Sequence, residues 1–271
     1  MIETYIQSLS PPIQALVAGM LTWGLTAFGA SFVLFVRAVN KKLLDVALGF
    51  AAGVMIAASF WSLLEPAIEM SQRMNIPPWI PPATGFVIGA LFLRLIDIIL
   101  PHLHLQAPIN EAEGIKTSFK RTTLLVLAVT LHNIPEGLAI GVSFGAHGTD
   151  PESVTLLSSI MLAIGIGIQN IPEGFAISMP LRSEGLSRKK SFLIGQFSGL
   201  VEPVFALIGV LVLDIMHSLL PYALGFAAGA MIFVTVEELI PESQRGGNSD
   251  IATAGLIIGF TLMMILDVAF K

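Results

Sequence analysis

The chain has 271 residues, of which 54% are hydrophobic and 12% are charged, and its mean hydropathy is +0.82. The charge density is roughly half that of a soluble domain, which excludes an ordinary soluble fold and indicates a polytopic membrane protein. The absence of cysteine excludes disulfides, thiolate metal sites and a cysteine nucleophile. The net charge of −5 says little about function, and no nucleic-acid partner is expected.

Eight apolar runs predict eight transmembrane helices, because about 20 helical residues cross the hydrocarbon core of a bilayer. Strand-like alternation is absent, so the predicted fold is an all-α integral membrane protein with one transmembrane domain over 1–271. The N-terminal segment MIETYIQSLSPP has no basic region or cleavage site, so no removable signal peptide is expected. Spans one to eight are predicted at about 13–36, 44–65, 82–101, 122–146, 153–181, 191–213, 219–241 and 251–270, with a loop at about 102–121.

The distribution of lysine and arginine predicts the direction of the spans. With eight spans, the loops on one side carry eleven of the 14 basic residues, and the other side carries Arg73 and Lys271. Because basic loops stay in the cytoplasm, the 102–121 loop is predicted to be cytoplasmic and both termini extracytoplasmic. The eleven residues are Arg37, Lys41, Lys42, Lys116, Lys120, Arg121, Arg182, Arg188, Lys189, Lys190 and Arg245; Arg94 lies inside span three.

An internal duplication relates the two halves of the chain. ALGFAAGVMI at 47–56 recurs as ALGFAAGAMI at 223–232, which places span two in correspondence with span seven. The two spans run in opposite directions, so the predicted arrangement is an inverted repeat of three spans, a central pair and three spans. Inverted repeats are a recurring transporter design, although duplication also builds passive scaffolds. The glycines of GFAAG are expected to serve helix packing.

Two nearly identical polar motifs interrupt spans four and five: HNIPEGLAIG at 132–141 and QNIPEGFAIS at 169–178. Residues four apart share one face of a helix, so each motif projects two polar side chains toward one point. The proline of each motif cannot donate a backbone hydrogen bond, which predicts a kink at this depth. The polar residues are His132, Asn133 and Glu136 in span four and Gln169, Asn170 and Glu173 in span five.

Glu202 adds a third carboxylate inside span six. Spans four to seven contain no lysine or arginine to pair with these glutamates, and a buried unpaired carboxylate is costly. A divalent metal would supply the missing charge, and one imidazole with several oxygens suits Zn²⁺, Fe²⁺ or Mn²⁺. The alternative is a set of protonated or hydrogen-bonded groups that join the helices. Three carboxylates with duplicated amides favour a functional site.

HNIPEG in span four, QNIPEG in span five and GxxSGxxEP in span six, within eight spans, resemble the ZIP (Zrt/Irt-like) divalent metal transporters, particularly their prokaryotic branch. The resemblance implies a site with two adjacent metal positions that share Glu136 and Glu173. Some relatives carry aspartate where this chain has Asn170. The resemblance therefore implies a metal at the second position less strongly than at the first. The implied first position comprises His132, Glu136, Gln169 and Glu173 with Met55 of span two, and Asn133, Asn170 and Glu202 complete the second.

Other polar residues are candidates for the entrance and the exit. Members of the family often carry a His-Glu pair in span seven, where this chain has two glutamates that are expected to contact exiting metal. Two histidines of the cytoplasmic loop could capture metal or belong to an ordinary solvated loop, and two glutamates near the outer end of span two could attract cations or be interfacial charges. Arg94 and Asp97, three apart, predict an ion pair. These candidates are Glu237 and Glu238, His102 and His104, and Glu65 and Glu69.

The predicted function is transport of divalent metal, chiefly Zn²⁺ with Fe²⁺, Mn²⁺ and Cd²⁺ as other candidates, into the cytoplasm across an inner or plasma membrane. No Walker A pattern occurs, and no catalytic cofactor is expected. The alternative is an intramembrane metal-dependent hydrolase. His132 and Glu136 have the spacing HxxxE rather than HExxH, which disfavours that alternative. The oligomeric state stays open, with a homodimer as one candidate.

Overall fold

The computed structural model describes residues 7–36, 40–104, 108–215 and 219–270. Arg37 and Lys271, which contribute to the predicted orientation, lie outside the described residues. Eight helices are long and apolar enough to cross a membrane, which confirms the eight-span all-α prediction. They are α1 Pro11–Leu34, α2 Lys41–Ser71, α3 Ile80–Ile99, α4 Arg121–Thr149, α5 Leu156–Ser183, α6 Arg188–Val212, α7 Leu220–Arg245 and α8 Ser249–Ala269.

The eight helices form two groups of four. In the first group α1 packs along α5, α4 packs along α6, and α1 also contacts α6. In the second group α2 packs along α8 and α3 along α7. Contacts of α2 with α5 and of α7 with α4 join the groups, so α4 and α5 lie at the seam between them. We call the end of the helices next to the 102–121 loop the inner end and the opposite end the outer end.

The GFAAG glycines bring helices of the second group into backbone contact. A Cβ atom at Gly49 or Gly53 of α2 would collide with the carbonyl oxygens of Ala252 and Leu256 on α8. Such close approach needs a residue without a side chain, and small residues four apart are a recurring packing surface for membrane helices. The packing role predicted for GFAAG is therefore confirmed.

Helices α2 and α7 each contain a π-helical segment, Ser59–Leu64 and Thr235–Leu239. Each segment is followed within two residues by a proline, Pro66 or Pro241. Since proline has no N–H to donate, the preceding turn cannot close in the ordinary way, and a wider turn accommodates the change. By contrast, α4 and α5 run as unbroken helices through Pro135 and Pro172.

The loop between α3 and α4 folds back on the inner end of the bundle. The backbones of His102 and Glu113 exchange two hydrogen bonds of 3.2 and 3.0 Å, and Leu103 donates to the carbonyl of Leu124 at the start of α4. Leu103 is fully buried against α4 and α5. This anchoring places His102 and His104 against the helix ends instead of leaving them in a free loop.

Candidate functional site

A hydrogen-bonded chain crosses the first helix group at the level of the two NIPEG motifs. The Gln169 side-chain amide donates to Glu136 Oε1 at 2.6 Å and to Asn170 Oδ1 at 2.9 Å. The Asn170 amide in turn donates to Glu202 Oε2 at 2.8 Å. Thr26 of α1 donates to the other Glu202 oxygen at 3.2 Å. Four helices thus contribute to one buried polar layer, which we call the central layer.

The glycine of each NIPEG motif brings these helices together. A Cβ at Gly137 would meet the backbone of Glu202 on α6, and a Cβ at Gly174 would meet the carbonyl of Thr26 on α1. Glu202 itself follows a short 3₁₀ stretch, Ser198–Leu200, within α6. The motif therefore supplies both the carboxylate and the close approach that places another helix's polar group beside it.

Several atoms of the central layer have no hydrogen-bond partner within the described part of the chain. Both oxygens of Glu173, Oε2 of Glu136, Oε1 of Gln169 and both amide atoms of Asn133 are in this state. The four side chains are at most 4% exposed. Buried polar atoms are normally hydrogen-bonded, so this set of unpartnered atoms, most of them acceptors, marks a position for a polar or cationic guest.

A second polar cluster lies on the inner side of the central layer. His132 Nε2 is 2.5 Å from Glu238 Oε1, and His104 Nδ1 is 3.2 Å from Glu238 Oε2. His104 also lies 3.3 Å from Glu113 through its other ring nitrogen. A cavity of about 20 Å³, enough for one water-sized occupant, adjoins these groups together with Glu173. Glu173 therefore borders both the central layer and the inner cavity.

The loop histidines are held by carboxylates from two helices. His102 Nε2 lies 3.1 Å from Asp97, and its Nδ1 donates to the carbonyl of Leu100 at 2.9 Å. Burial opposes a charge on His102, but the contacts with Asp97 and Leu100 outweigh it and raise its pKa. The hydrogen bond to Glu238 is the main cause that raises the pKa of His104 to about 9, with a smaller contribution from Glu113. Both histidines are thus stabilised in the imidazolium form.

Residues 104–267 match the family model described as ZIP Zinc transporter. The chain is 41% identical to Zinc transporter ZIP11 of Xenopus tropicalis, with 97% of this chain and 99% of that relative covered. It is 40% identical to Zinc transporter GufA of Myxococcus xanthus, with 94% and 98% covered. The chain belongs to the ZIP zinc transporter family. A further member, Zinc transporter ZIPB of Bordetella bronchiseptica, is 39% identical, with 94% of this chain and 81% of that relative covered.

The candidate metal ligands lie at two places in this structure, the central layer and the inner end. Acidic residues and histidines form three groups in which one ligand atom of each member lies within 4.8 Å of the others. In the described part of the chain these groups all lie at the inner end, and the central glutamates are not among them. The amides of Gln169 and Asn170 lie between Glu136 and Glu202 in the hydrogen-bonded chain. The members are Asp97, His102, His104, Glu113, Glu237 and Glu238.

The remaining predicted residues have distinct surroundings. Met55 is fully buried in the main hydrophobic core, and its sulfur accepts a hydrogen bond from Thr235 of α7 at 3.7 Å. The predicted ion pair of Arg94 with Asp97 is confirmed at 2.7 Å. Arg94 also lies 3.7 Å from Glu237, which is far more exposed than the buried Glu238.

An acidic cavity of about 150 Å³ opens near the outer end of α2. Glu65 lines it together with Ser62, Glu152 and Asp267, and Ser62 donates to Asp267 at 2.5 Å. Glu69, the other predicted entrance residue, is half-buried one helical turn further along α2. The cavity shows that the outer end of α2 faces a polar space rather than only lipid.

Sequence reasoning missed three participants: Thr26, Asp267 and Glu242, the last of which lines the inner cavity. The internal repeat offered a signal for Thr26, because the offset of 176 residues makes Thr26 the equivalent of Glu202. Asp267 is an acidic residue within a predicted span, and that alone marked it as a candidate. Glu242 carried no such signal, because it follows the predicted end of span seven.

Proposed function

We propose that this protein carries divalent metal, with Zn²⁺ as the principal substrate, into the cytoplasm through the central layer. The observation that carries the proposal is the central layer itself, in which three buried glutamates converge without any lysine or arginine from residues 122–181 or 191–241. A transported cation supplies the charge that these carboxylates lack. The three relatives described above are named zinc transporters, which disfavours the hydrolase alternative.

The proposed ligands are side chains with an atom that can bind a cation directly or after the side chain rotates. Glu136 and Glu173 present carboxylate oxygens that have no hydrogen-bond partner among the described residues, and His132 adds the nitrogen that lies 2.5 Å from Glu238. The amides of Gln169 and Asn170 donate to carboxylates. A rotation of either amide would turn its oxygen toward a cation, so one side chain can either donate to a carboxylate or bind the metal. Asn133, Glu202 and Met55 complete the proposed set.

A path for the metal follows from the order of the polar spaces. The acidic outer cavity at Glu65 and Asp267 would collect cations, with Glu69 beside it. The central layer would bind them, and Glu173 connects it to the inner cavity beside Glu238 and His104. Since the groups along this path are oxygens and imidazoles, with the Met55 sulfur as the one soft ligand in the proposed set, the path suits Zn²⁺, Fe²⁺, Mn²⁺ and Cd²⁺ better than Cu(I).

No chemical step is needed to drive uptake in this direction. An inside-negative potential of about 100 mV favours entry of a doubly charged ion by about 4.6 kcal/mol. The proposed location is an inner or plasma membrane, where such a potential exists, and a homodimer remains a prediction.

Zinc flux into liposomes tests the proposal. Purified protein is reconstituted, a potassium gradient with valinomycin sets the potential, and entry of ⁶⁵Zn²⁺ is followed with competing Cd²⁺, Mn²⁺ or Mg²⁺ outside. We expect saturable uptake that Cd²⁺ inhibits more strongly than Mg²⁺ and that rises with an inside-negative potential. Uptake no faster than in protein-free liposomes would overturn the proposal.

Single cysteines test the proposed orientation, because the natural chain contains none. Ser187 caps the start of α6 at the inner end and is exposed, while Glu152 is exposed at the outer end. A membrane-impermeant maleimide should label Glu152→Cys in intact cells and Ser187→Cys only after the cells are opened. The reverse pattern would contradict inward transport through this topology.

A further inference from the structure

Two apolar grooves lie on the surface where the two helix groups meet. The inner groove, of about 470 Å³, lies between α1, α2, α5 and α8, and the outer groove, of about 300 Å³, lies between α3, α4, α6 and α7. Both volumes are in the range of small-molecule sites. Phe32, Ala47, Phe50, Phe175 and Ile258 define the inner groove, and Ile208, Ala223, Phe226, Leu138 and Ile88 define the outer groove.

The internal repeat relates the two grooves residue by residue. The offset of 176 residues converts Phe32 to Ile208, and it likewise converts Ala47 to Ala223. The offset of 37 residues between the NIPEG motifs relates Leu138 to Phe175. The two grooves are therefore equivalent places in the two inverted halves of the fold. One lies toward each end of the bundle, and each has walls from both helix groups.

The mouths of the two grooves differ in charge. The inner groove begins at Asn40, whose side chain accepts hydrogen bonds from the backbone of Lys42 and Leu43 at the start of α2. The neighbouring side chains of Lys41 and Lys42 are exposed. The equivalent sequence positions of the outer groove, His217 and Ser218, carry no lysine and lie outside the described residues. Only the inner groove thus combines an apolar trench with two lysines at its edge.

We propose that the inner groove is a binding site for an anionic phospholipid of the leaflet that faces the basic loops. One acyl chain lies along Phe32, Phe50 and Phe175, and the phosphate lies beside Lys41 and Lys42. The apolar walls match a hydrocarbon chain, which leaves no polar group unpaired. The two lysines favour a negatively charged headgroup over a zwitterionic one, because basic residues near a membrane surface attract anionic lipids.

The expected preference follows from the charge of the mouth. Two lysines beside the headgroup correspond to about a tenfold or greater preference for phosphatidylglycerol over phosphatidylcholine. The site does not depend on the metal route, because none of the proposed metal ligands lines the inner groove. Its test can therefore fail or succeed independently of zinc transport.

Photo-crosslinking in nanodiscs measures this preference. The full chain is reconstituted with trace phosphatidylglycerol that carries a diazirine on one acyl chain, or with the matching phosphatidylcholine, and adducts are mapped by mass spectrometry. We expect phosphatidylglycerol adducts to concentrate on 32–36, 43–50 and 171–175, about tenfold above phosphatidylcholine. Adducts spread evenly over the lipid-facing sides of α3 and α8, or equal for the two lipids, would overturn the proposal.

Matched variants separate the two parts of the site. Lys41→Gln with Lys42→Gln should abolish the preference for phosphatidylglycerol, whereas Lys116→Gln with Lys120→Gln, in the loop before α4, should preserve it. Ala47→Trp should fill the inner groove and remove its adducts, whereas the symmetry-related Ala223→Trp should leave them. Unchanged adducts in both inner-groove variants would refute the site. Protein–protein cross-links in place of lipid adducts would instead indicate a second copy of the chain and would refute it equally.

Discussion

The central layer and the inner cluster both bury carboxylates, but they compensate the charge in different ways. In the central layer, Glu136 and Glu202 receive hydrogen bonds from the amides of Gln169 and Asn170, and Glu173 receives none within the described residues. In the inner cluster, Glu238 lies between two imidazoles, those of His132 and His104. Amides are neutral, whereas imidazoles can carry positive charge.

This difference indicates how each region would respond to a metal ion. A cation that enters the central layer adds a charge that is missing there. At the inner cluster a cation must compete with the His104 imidazolium, which Glu238 already stabilises. The central layer is therefore the better resting place for a divalent ion, and the inner cluster is suited to releasing it.

The largest effect is expected from the central glutamates. Glu136→Ala or Glu173→Ala should lower zinc uptake in proteoliposomes by at least about 100-fold, because even indirect partners of metal ligands cost about 10–100-fold in affinity. Asp250→Asn, in the exposed first turn of α8 and away from the proposed path, is the control and should transport normally. Normal uptake by either central variant, with normal yield and monodispersity, would move the site elsewhere.

The amide of Asn170 should have an intermediate effect that distinguishes hydrogen bonding from metal ligation. Asn170→Ala removes both the donor to Glu202 and an oxygen ligand, so zinc affinity should fall by about 10-fold. Asn170→Asp keeps an oxygen but places a carboxylate beside Glu202, which should destabilise the metal-free protein and increase its stabilisation by zinc. Thermal unfolding with and without zinc measures both, and an unchanged metal-free Tm in Asn170→Asp would contradict the account.

A smaller, pH-dependent effect is expected at the inner cluster. The pKa of His104 is raised from 6.5 to about 9, so protonated His104 stabilises the fold fully below about 6.5, and this contribution disappears as the pH rises through about 9. The Tm of the metal-free parent should therefore exceed that of His104→Gln most at about pH 6 and least at about pH 10. Lys116→Gln, in the same loop, should show no such trend. A constant difference between parent and His104→Gln across this range would refute the assignment.

The smallest effect is expected at the outer end, where Arg73 contacts Asp150 and Ser153 and lies 3.3 Å from Glu152. The Arg73 side chain is about half exposed, and exposed ion pairs contribute about 0–1 kcal/mol. Arg73→Gln should lower the Tm by no more than about 2–4 °C and change uptake by less than about twofold. A loss of uptake as large as that of Glu173→Ala would show that the outer end is as critical as the central layer.

Much of the fold was predictable, because it depends on regularities along the chain. Apolar length predicted eight helices, and the duplicated NIPEG and GFAAG motifs predicted which helices correspond. The central glutamates were also predictable, since a carboxylate between aliphatic neighbours is costly without a partner. The helices differ most from the prediction in α2, which extends to Ser71 rather than about residue 65, because an α-helical segment, Glu65–Ser71, follows the π-helical one.

Other parts of the site depend on contacts that the sequence does not specify. Gln169 donates to Glu136 rather than accepting from a neighbour. This choice depends on how α4 and α5 are rotated against each other. The link of His104 to Glu238 requires the loop to fold back on α7, although the two residues are far apart in the chain. Side-chain partners across helices follow from packing, which periodicity alone does not determine.

The most direct test of the account compares zinc binding at the two regions. Equilibrium dialysis against ⁶⁵Zn²⁺ is carried out on the parent, on Glu136→Ala with Glu173→Ala, and on His102→Ala with His104→Ala, each purified at full length. The account predicts that the histidine variant keeps the tightest zinc site of the parent and that the glutamate variant loses it. Retention of that site by the glutamate variant and its loss from the histidine variant would contradict the central layer as the place where the metal binds.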